Sequence, residues 1–582
     1  MEDSTVEIRQ LDLSRPVTAR TVKSFLDDAG LRLDESAAYF AGMFDTEDRL
    51  IGCGGLDSNI IKCLAMSSDA RSEGLSAKLI THLMNEAFSS GHSNVRVFTK
   101  PVYKPLFKSL GFTLCGESAS AAWLESDSLC LRKYRAYLSD HPADGVIVAN
   151  TDPVTLGHLY LITRAASQCR RLAVITVGAN RRNCFSYQTR KAMLKRAVSH
   201  LANVEILDGS EYVISQLSFP SYFIKKADTI SHAQAELDLD VFCRNIAPSL
   251  GAVRRFVGTE PVDALTAQYN ELMKEILPLH GIEVVEIPRM TDAGGVISAS
   301  RVRKALTDGR PEDAIASVPR SNVPYFLAWL AVRSLRKELE LAPKPGLVDP
   351  FDNGSHTDMD FDLMSRSIDS LQDYFTELAV TAYDSEAIDS PTLRRLGLEA
   401  EKKMLEATGG VNTHRGAIFS MGLAVAATAK ILGGKSQLTL GREIARLANG
   451  LTSPPDTTHG GEVRRRYGIS GAMENARAGY PLLFDEWLPF YRGTQRSDAD
   501  RLRLLMKIIA GMDDSNAIFR AGPEKAAEAR LKAAKLADGD CDTRSLEQLN
   551  EEFKRERISH GGAADMLALT FFADSVCNLS DL

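Results

Sequence analysis

One stretch decides the fold of the middle of the chain: residues 146–158, which read VIVANTDPVTLGH. Its first four residues are an apolar run typical of a buried strand, and a polar loop then leads directly into a helical pattern at residues 159–167. A second strand pattern at residues 172–177 and a second helical pattern at residues 187–200 follow. This alternation of strand, loop and helix predicts a parallel sheet covered by helices.

The loop inside this stretch is a candidate phosphate site. The amino terminus of a helix presents unpaired backbone N–H groups and a partial positive charge to an anion. Gly157 lets the backbone approach phosphates, and we expect His158 to add charge-assisted hydrogen bonds. A lone Thr-x-Gly-His is more often a turn with a surface histidine, so the loop needs a second element.

Residues 297–303, ISASRVR, supply that second element. Ser298 and Ser300 are placed as helix caps or phosphate ligands, and Arg303 lies one turn further, where its guanidinium can bind a phosphate with two hydrogen bonds. The alternative is an ordinary serine-capped helix with a solvated arginine. The two motifs lie at opposite ends of one α/β segment, and together they resemble the paired signature of the nucleotidyltransferase superfamily, which implies one adenylyl-transfer site.

Composition limits what the whole chain can be. It has 582 residues, 44% hydrophobic and 25% charged, which predicts about three to five globular domains. A net charge of −7 argues against nucleic-acid and membrane partners, and nine cysteines without a Cys-x-x-Cys pair argue against a disulfide or zinc scaffold. The acidic start is unlike a signal peptide, and the sequence lacks an apolar run of the roughly 20 residues that span a bilayer. We therefore expect a cytoplasmic protein.

The segments on either side differ in their predicted secondary structure. Before about residue 135, strand patterns at residues 39–44, 50–56 and 60–66 predict an antiparallel meander, and a helical pattern follows at residues 73–89. Beyond about residue 325 strand patterns vanish, so we predict an all-helical segment. The predicted domains are residues 1–138 (α+β), 143–320 (α/β with a parallel sheet) and 325–582 (all-α).

The first domain contains a second candidate phosphate loop at residues 71–76. It lies between a strand and an amphipathic helix, where Gly74 permits close approach of a pyrophosphate to the backbone. With residues 100–112 this order of elements resembles GNAT-like N-acetyltransferases. The resemblance implies that Arg71, Gly74 and Ser76 bind the pyrophosphate of a coenzyme-A-like arm.

The middle domain resembles the nucleotidyltransferase superfamily, which has a Rossmann-like fold. Within that superfamily, the chain resembles the citrate lyase ligase family most specifically in three stretches, residues 209–215, 255–261 and 266–270. The resemblance covers about residues 5–320. That family makes acetyl-adenylate from ATP and acetate and then acetylates the prosthetic-group thiol of the acyl-carrier (gamma) subunit of citrate lyase. The resemblance implies a catalytic set, Thr155, His158 and Arg303, and an ATP-binding set, Asn150, Gly157, Gly258, Ser298 and Ser300.

The last segment carries five polar clusters at helix boundaries, at residues 344–360, 409–416, 457–462, 513–520 and 560–565. Carboxylates suit magnesium and cationic side chains suit phosphates, although caps and turns use the same residue types. The candidates are Asp360, His414, Asp513 and Asp514 for catalysis, Lys344, Arg415 and Arg520 for phosphate, and Asp358, Asp513 and Asp514 for metal.

These clusters resemble triphosphoribosyl-dephospho-coenzyme A synthase over about residues 325–582. In that family the 2′-hydroxyl of dephospho-coenzyme A attacks the anomeric carbon of ATP and adenine leaves. The combined resemblance implies a bifunctional ligase and transferase that uses ATP and Mg²⁺, with no tightly bound organic cofactor, and takes acetate and dephospho-coenzyme A as its small substrates. The equivalent functions for malonate decarboxylase, a simple adenylyltransferase, and a carrier-binding scaffold with one inactive half remain alternatives.

Overall fold

The computed structural model describes residues 6–34, 36–70, 73–178, 184–213, 227–261, 263–452, 463, 465–469 and 471–579. The chain divides into two compact units, Met1–Ala299 and Ser300–Leu582. The first unit contains the sheets, and the second is helical in its described part. The finer division at residues 139–142 and 321–324 stays a prediction.

The first sheet of the first unit is mixed. Its strands lie in the order β1-β2-β3-β4-β5-β7-β6. The predicted meander of β2, β3 and β4 is confirmed and antiparallel, whereas β4 and β5 run parallel and pair at only two positions, Ile60 with Arg96 and Ile61 with Val97. The bounds are β1 Glu7–Gln10, β2 Tyr39–Phe44, β3 Leu50–Asp57, β4 Ile60–Met66, β5 Arg96–Thr99, β6 Thr113–Glu117 and β7 Ala122–Glu125.

The second sheet is the predicted parallel one. Its order is β10-β9-β8-β11-β12, and every neighbouring pair is parallel. The chain therefore starts in the middle strand, builds outward through β9 and β10, and returns to the other side with β11 and β12. The bounds are β8 Gly145–Ala149, β9 Leu172–Thr176, β10 Val204–Asp208, β11 Arg254–Gly258 and β12 Glu283–Ile287, followed by a short hairpin of β13 Thr291–Asp292 and β14 Gly295–Val296.

Helices cover both sheets because their apolar faces pack on the strands. Their bounds in the first unit are Pro16–Asp28, Glu73–Ser89, Lys104–Ser109, Leu129–Ser139, Leu156–Ala166, Tyr187–Ala197, Ala227–Val241, Ala247–Leu250 and Ala264–Ile276.

The two sheets of the first unit share a hydrophobic core. Tyr212, which follows β10, stacks on Trp123 of β7 and on Tyr134, with ring centroids 5.4 Å apart in both pairs. Its hydroxyl donates to the buried carboxylate of Glu125 at 2.8 Å. At the sheet edge, the amide of Asn245 donates to the carbonyl of Cys115 at 2.8 Å. Buried aromatic contacts of this kind fix the two sheets against each other.

The second unit confirms the predicted helical segment. One expected helix, at residues 361–379, is broken in two at Leu371. Just before the break, the hydroxyl of Ser370 donates to the carbonyl of Ser367 at 2.7 Å, and such side-chain hydrogen bonds bend helices. The bounds are Ala299–Thr307, which spans the boundary between the units, Pro311–Ala316, Val323–Leu339, Phe361–Ser370, Gln372–Asp384, Ser390–Ala407, Arg415–Leu432, Leu440–Asn449, Ala472–Arg477, Leu488–Arg492, Asp498–Gly511, Ser515–Ala521, Pro523–Asp538, Thr543–Glu556 and Gly561–Val576.

The central helix of this unit is Arg415–Leu432. Within the described residues it alone is long and apolar enough to cross a membrane, and 72% of it is buried in the protein. It packs against Val323–Leu339, Gln372–Asp384 and Gly561–Val576. Its apolar composition is accounted for by this burial.

Candidate functional site

A crevice opens at the carboxyl edge of the second sheet. β8 pairs with β9 along five positions, but it pairs with β11 only at Gly145 with Arg254 and Val146 with Arg255. The two strands are therefore unpaired at their carboxyl ends. This is also where the strand order reverses, and open parallel sheets bind ligands at such a switch point.

The helix Leu156–Ala166 begins at this crevice with a reciprocal cap. The Thr155 hydroxyl accepts from the His158 backbone N–H at 3.3 Å, and the His158 Nδ1 accepts from the Thr155 backbone N–H at 3.1 Å. Because Nδ1 accepts, the proton of a neutral imidazole is on Nε2. The cap fixes both candidate catalytic side chains at the first turn.

The charge of His158 differs from the sequence expectation. Burial, with a smaller contribution from nearby Arg289, lowers the pKa of His158 to about 4. The imidazole is therefore neutral at pH 7 in the ligand-free protein, and its hydrogen bonds there are not charge-assisted. The sequence could not reveal this because Arg289 is 131 residues away along the chain.

Ile297, the first residue of the second motif, lies against Gly157 of the first. The carbonyl oxygen of Ile297 lies 2.8 Å from the position that a Cβ on Gly157 would occupy. Glycine is therefore required here by a backbone contact. Ser298 follows immediately in the chain, so the structure brings the start of the second motif to the first.

The rest of the second motif belongs to the helix Ala299–Thr307. Ser300 and Arg303 are on its first turns, and Arg303 Nη2 donates to the Ser300 hydroxyl at 3.2 Å. The boundary between the two compact units falls within this helix. The roles of Ser300 and Arg303 in phosphate binding stay predictions.

Sequence reasoning missed the arginine that organises the strand ends. Arg190 is 1% exposed, and its Nη1 donates to the side-chain oxygen of Asn150 at 2.9 Å. Its Nη2 donates to the carbonyl of Gly178 at 3.1 Å, so it joins the ends of β8 and β9. Arg190 is on the helix Tyr187–Ala197, and its burial, which the sequence does not show, is the sign of this role.

Gly258 ends β11 at the same edge. Its carbonyl accepts from the side-chain amide of Asn270 at 2.9 Å, and a Cβ on Gly258 would make only ordinary contacts. The neighbouring motif residues are structural as well, since Arg255 is buried, lies over the Phe242 ring, and donates to the Tyr269 hydroxyl at 3.1 Å. These motifs therefore support the sheet edge, and ATP binding by Gly258 stays a prediction.

The candidate loop of the first sheet is partly described. Arg71 lies outside the described residues, as do residues 457–462 of the second unit. Gly74 is exposed in the helix Glu73–Ser89, with open space where a Cβ would be, and Ser76 is half-buried. The helix follows β4, on the side where β4 and β5 are no longer paired. Binding of a coenzyme-A-like arm by Gly74 and Ser76 stays a prediction.

In the second unit, Lys344 is held inside the protein. It is 1% exposed, its Nζ donates to the Glu338 carbonyl at 2.8 Å, and it forms an ion pair with the Glu338 carboxylate. Burial raises the pKa of Glu338, and the lysine opposes that change. Lys344 is therefore a buried ion-pair partner in the ligand-free protein, and its predicted phosphate contact remains a prediction.

Asp513 and Asp514 lie beside one cavity but have different partners. Asp513 pairs with Arg530. The buried Asp514 uses one oxygen to cap the helix Ser515–Ala521 and the other to accept from the Ala563 backbone N–H at 2.9 Å. Asp514 thus joins two helix starts around the cavity.

His414 and Arg415 are neighbours at the start of the central helix but lie in different surroundings. His414 is buried, its Nδ1 is 2.7 Å from the Ser367 hydroxyl, and burial with nearby Lys344 lowers its pKa to about 4. Arg415 is half-exposed and pairs with Glu401. Asp360 is exposed and caps the helix Phe361–Ser370 by accepting from Leu363 N–H at 2.8 Å.

Arg520 belongs to a neighbouring polar group. Its Nη2 donates to the Ser355 carbonyl at 2.8 Å, and its Nη1 is 3.3 Å from His356 Nδ1. Asp358 Oδ1 is 3.7 Å from the same histidine nitrogen. Arg520, His356 and Asp358 are thus brought together, and they hold the loop that follows Lys344.

The structure also contains a carboxyl group that the sequence analysis did not select. Asp565 Oδ2 occupies the space where a Cβ on Gly416 would be. Burial, together with the negative charges of Glu338 and Asp514, raises the pKa of Asp565 well above its ordinary value. Asp565 therefore tends to hold a proton, and its position in the first turns of the helix Gly561–Val576 was the available sequence signal.

The nominated magnesium ligands all have protein partners. Asp513 pairs with an arginine, Asp514 accepts backbone hydrogen bonds with both oxygens, and Asp358 contacts His356. Across the described residues, no three His, Cys, Asp or Glu side chains are arranged to hold a metal ion. Mg²⁺ is usually held by one or two carboxylates together with substrate phosphates, so Mg²⁺ binding by these residues stays a prediction.

Two family models match the chain. The model described as citrate lyase ligase C-terminal domain matches residues 144–326, and the model described as ATP:dephospho-CoA triphosphoribosyl transferase matches residues 324–581. The boundary between them lies at the start of the helix Val323–Leu339.

Curated relatives match the same two parts. A [citrate [pro-3S]-lyase] ligase from Haemophilus influenzae is 36% identical over 315 residues, which cover 52% of this chain and 94% of the relative. The corresponding Escherichia coli protein is 37% identical, with 52% and 89% covered. A probable 2-(5''-triphosphoribosyl)-3'-dephosphocoenzyme-A synthase from Azotobacter vinelandii is 38% identical over 275 residues, which cover 45% of this chain and 94% of the relative.

Proposed function

Because this chain belongs to the citrate lyase ligase family through its first part and to the triphosphoribosyl-dephospho-coenzyme A synthase family through its second, we propose that it performs two steps in the maturation of citrate lyase. The chain is an enzyme with a ligase and a transferase activity, both of which use ATP. The client is the acyl-carrier (gamma) subunit of citrate lyase, whose prosthetic group derives from dephospho-coenzyme A.

In the ligase reaction, an acetate oxygen attacks the α-phosphorus of ATP and pyrophosphate leaves. The close approach of Ile297 to Gly157 is the observation that carries this proposal, since it places the start of the second motif against the loop of the first. The neutral His158 offers Nε2–H to a phosphate oxygen, while its cap with Thr155 holds the ring in position.

In the transfer step, the prosthetic-group thiolate attacks the acetyl carbonyl and AMP leaves. We assign the arm that carries this thiol to the first sheet, as a GNAT-like domain. The assignment is supported by the unpaired ends of β4 and β5 and by the helix Glu73–Ser89 that starts beside them. A bulky residue at Gly74 should slow thiol acetylation and leave acetyl-adenylate formation unchanged; equal rates of transfer would contradict the assignment.

In the transferase reaction, the 2′-oxygen of dephospho-coenzyme A bonds to C1′ of the ATP ribose. The C1′–N9 bond breaks, adenine keeps the electron pair and takes up a proton, and the triphosphate remains on the product. A carboxylate beside the cationic ribose lowers the barrier of such reactions. Asp513 and Asp514 line the cavity and are the candidates that the geometry favours over Asp360, which is not among its lining residues.

The decisive experiment is product analysis by mass spectrometry with ATP, magnesium and dephospho-coenzyme A in the absence of acetate. We expect free adenine and a triphosphoribosylated product. The His158→Ala variant should still release adenine but should no longer release pyrophosphate with acetate. If the wild type makes no adenine, the second half is not a working transferase.

The client is tested separately. Purified deacetylated carriers of citrate lyase and of malonate decarboxylase should be offered with acetate and ATP. Acetylation of the citrate lyase carrier alone supports the proposal, whereas preference for the other carrier favours the parallel system. Carrier binding without turnover would identify a scaffold.

A further inference from the structure

A cavity of about 210 Å³ in the second unit lies beside Asp513 and Asp514. Apolar side chains form much of its wall, among them Ile469, Ile518, Pro523 and Ala526. Pockets that hold drug-sized ligands are usually about 300–1,000 Å³. This cavity therefore suits a single flat ring system better than a whole nucleotide.

His560, at the start of the helix Gly561–Val576, lines the cavity and is 1% exposed. Neither of its ring nitrogens has a hydrogen-bond partner among the residues that the structure describes. Buried polar groups are nearly always paired, so an unpaired pair of ring nitrogens on a cavity wall points to a ligand.

The charges around the cavity disfavour an anion. Asp513 neutralises Arg530, and Asp514 adds a negative charge that backbone N–H groups hold in place. The remaining negative charge therefore repels phosphate groups from this cavity but does not repel a neutral heterocycle.

The chemistry of His560 narrows the ligand further. Burial lowers the pKa of His560, and Arg530 adds to this while Asp514 opposes it. A neutral imidazole has one donor and one acceptor. The two nitrogens point in different directions, so one of them binds the base: the acceptor nitrogen can take a hydrogen bond from the exocyclic amine of adenine, whose apolar faces match the walls.

We propose that this cavity is an adenine subsite and that His560 hydrogen-bonds the edge of the ring. The inference rests on the proposed transferase function, in which both substrates, ATP and dephospho-coenzyme A, carry adenine. The cavity takes the base of one of them, while the phosphates bind outside it. Tyr467, another lining residue, adds an aromatic ring to the same wall.

Isothermal titration of the full chain with free adenine tests the subsite. His560→Phe keeps a ring of similar shape but removes both nitrogens, so we expect adenine to bind about tenfold more weakly. Ala527→Phe, at an exposed lining residue, should block binding by filling the cavity. Leu531→Phe, exposed on the same helix outside the lining, is the matched control and should bind normally. Hypoxanthine, which lacks the amine, should bind more weakly than adenine.

Kinetics identify which adenine is bound. Free adenine should inhibit competitively against ATP if the subsite takes the departing base, or against dephospho-coenzyme A if it takes the acceptor's base; either result supports the subsite. Unchanged adenine affinity and unchanged KM for both substrates in His560→Phe and Ala527→Phe would overturn it. Adenine release by the wild type is scored independently, so a wild type that binds adenine in the cavity but releases none refutes the transferase function and leaves the subsite standing.

Discussion

Substitution of Gly157 by alanine tests whether a backbone contact joins the two phosphate motifs. The new methyl group would lie 2.8 Å from the Ile297 carbonyl oxygen, closer than real Cβ contacts, and neither partner is a flexible side chain. Overpacking of this kind costs about 1–3 kcal/mol. Gly157 is the second residue of its helix, so part of that cost is offset by the higher helix propensity of alanine, at most about 1 kcal/mol.

Gly74 provides the matched control, since it is also the second residue of its helix and has open space around the position of a Cβ. The propensity gain is therefore common to both variants, and the difference between them isolates the contact. We expect Gly157→Ala to be less stable than Gly74→Ala by about 1–3 kcal/mol in urea unfolding of the ligase half.

Acetate-dependent exchange of pyrophosphate into ATP reports the functional consequence. Gly157→Ala should lose most of this exchange because Ile297 and the following Ser298 must move away from the loop, whereas Gly74→Ala should retain it. Equal stability and equal exchange in the two variants would refute the argument that the Gly157–Ile297 contact assembles the site.

Three further predictions concern protonation and buried charge. The pKa of His158 is about 4, so the pH–rate profile of pyrophosphate exchange should contain no inflection near pH 6.5 that depends on His158. An inflection there in the wild type that is missing in His158→Asn would contradict the neutral ring. The pKa of Asp565 is higher in the folded protein than in the unfolded chain, so the protein loses stability as pH rises from the unfolded-state pKa toward the folded-state pKa. We therefore expect Asp565→Asn to raise Tm at pH 8 and to change it little at pH 4. Glu338→Leu leaves the Lys344 ammonium unpaired in the interior and should cost about 3–5 kcal/mol in urea unfolding, and adding Lys344→Met should recover most of that loss; failure of the double variant to recover would mean that the pair is not coupled.

The fold was largely predictable because local patterns carry it. The run at residues 146–149 corresponds to β8, and the loop after it leads into the helix Leu156–Ala166. The strand patterns at residues 39–44 and 60–66 match β2 and β4. Periodicity does not report helix breaks made by one side chain, which is why the stretch at residues 361–379 was predicted as one helix.

The site was less predictable because its chemistry depends on distant partners. The proximity of residue 157 to residue 297 was expected from paired motifs, but the partner of Lys344 on the preceding helix and the partner of Arg415 at Glu401 were not visible in the sequence. Motif composition nominated Asp513 and Asp514 as metal ligands, whereas their hydrogen bonds and ion pair serve the surrounding protein.

The stack of Trp123 on Tyr212 has a consequence for synthesis of the chain. The first sheet is complete in sequence at Glu125, but its face is covered only after Tyr212 and the helix Ala227–Val241, which packs against β6, have left the ribosome. At roughly 5–20 residues per second, this leaves an apolar surface waiting for on the order of ten seconds. A nascent chain arrested near residue 140 should therefore be a substrate for chaperones, whereas one arrested well beyond residue 300 should already be protected.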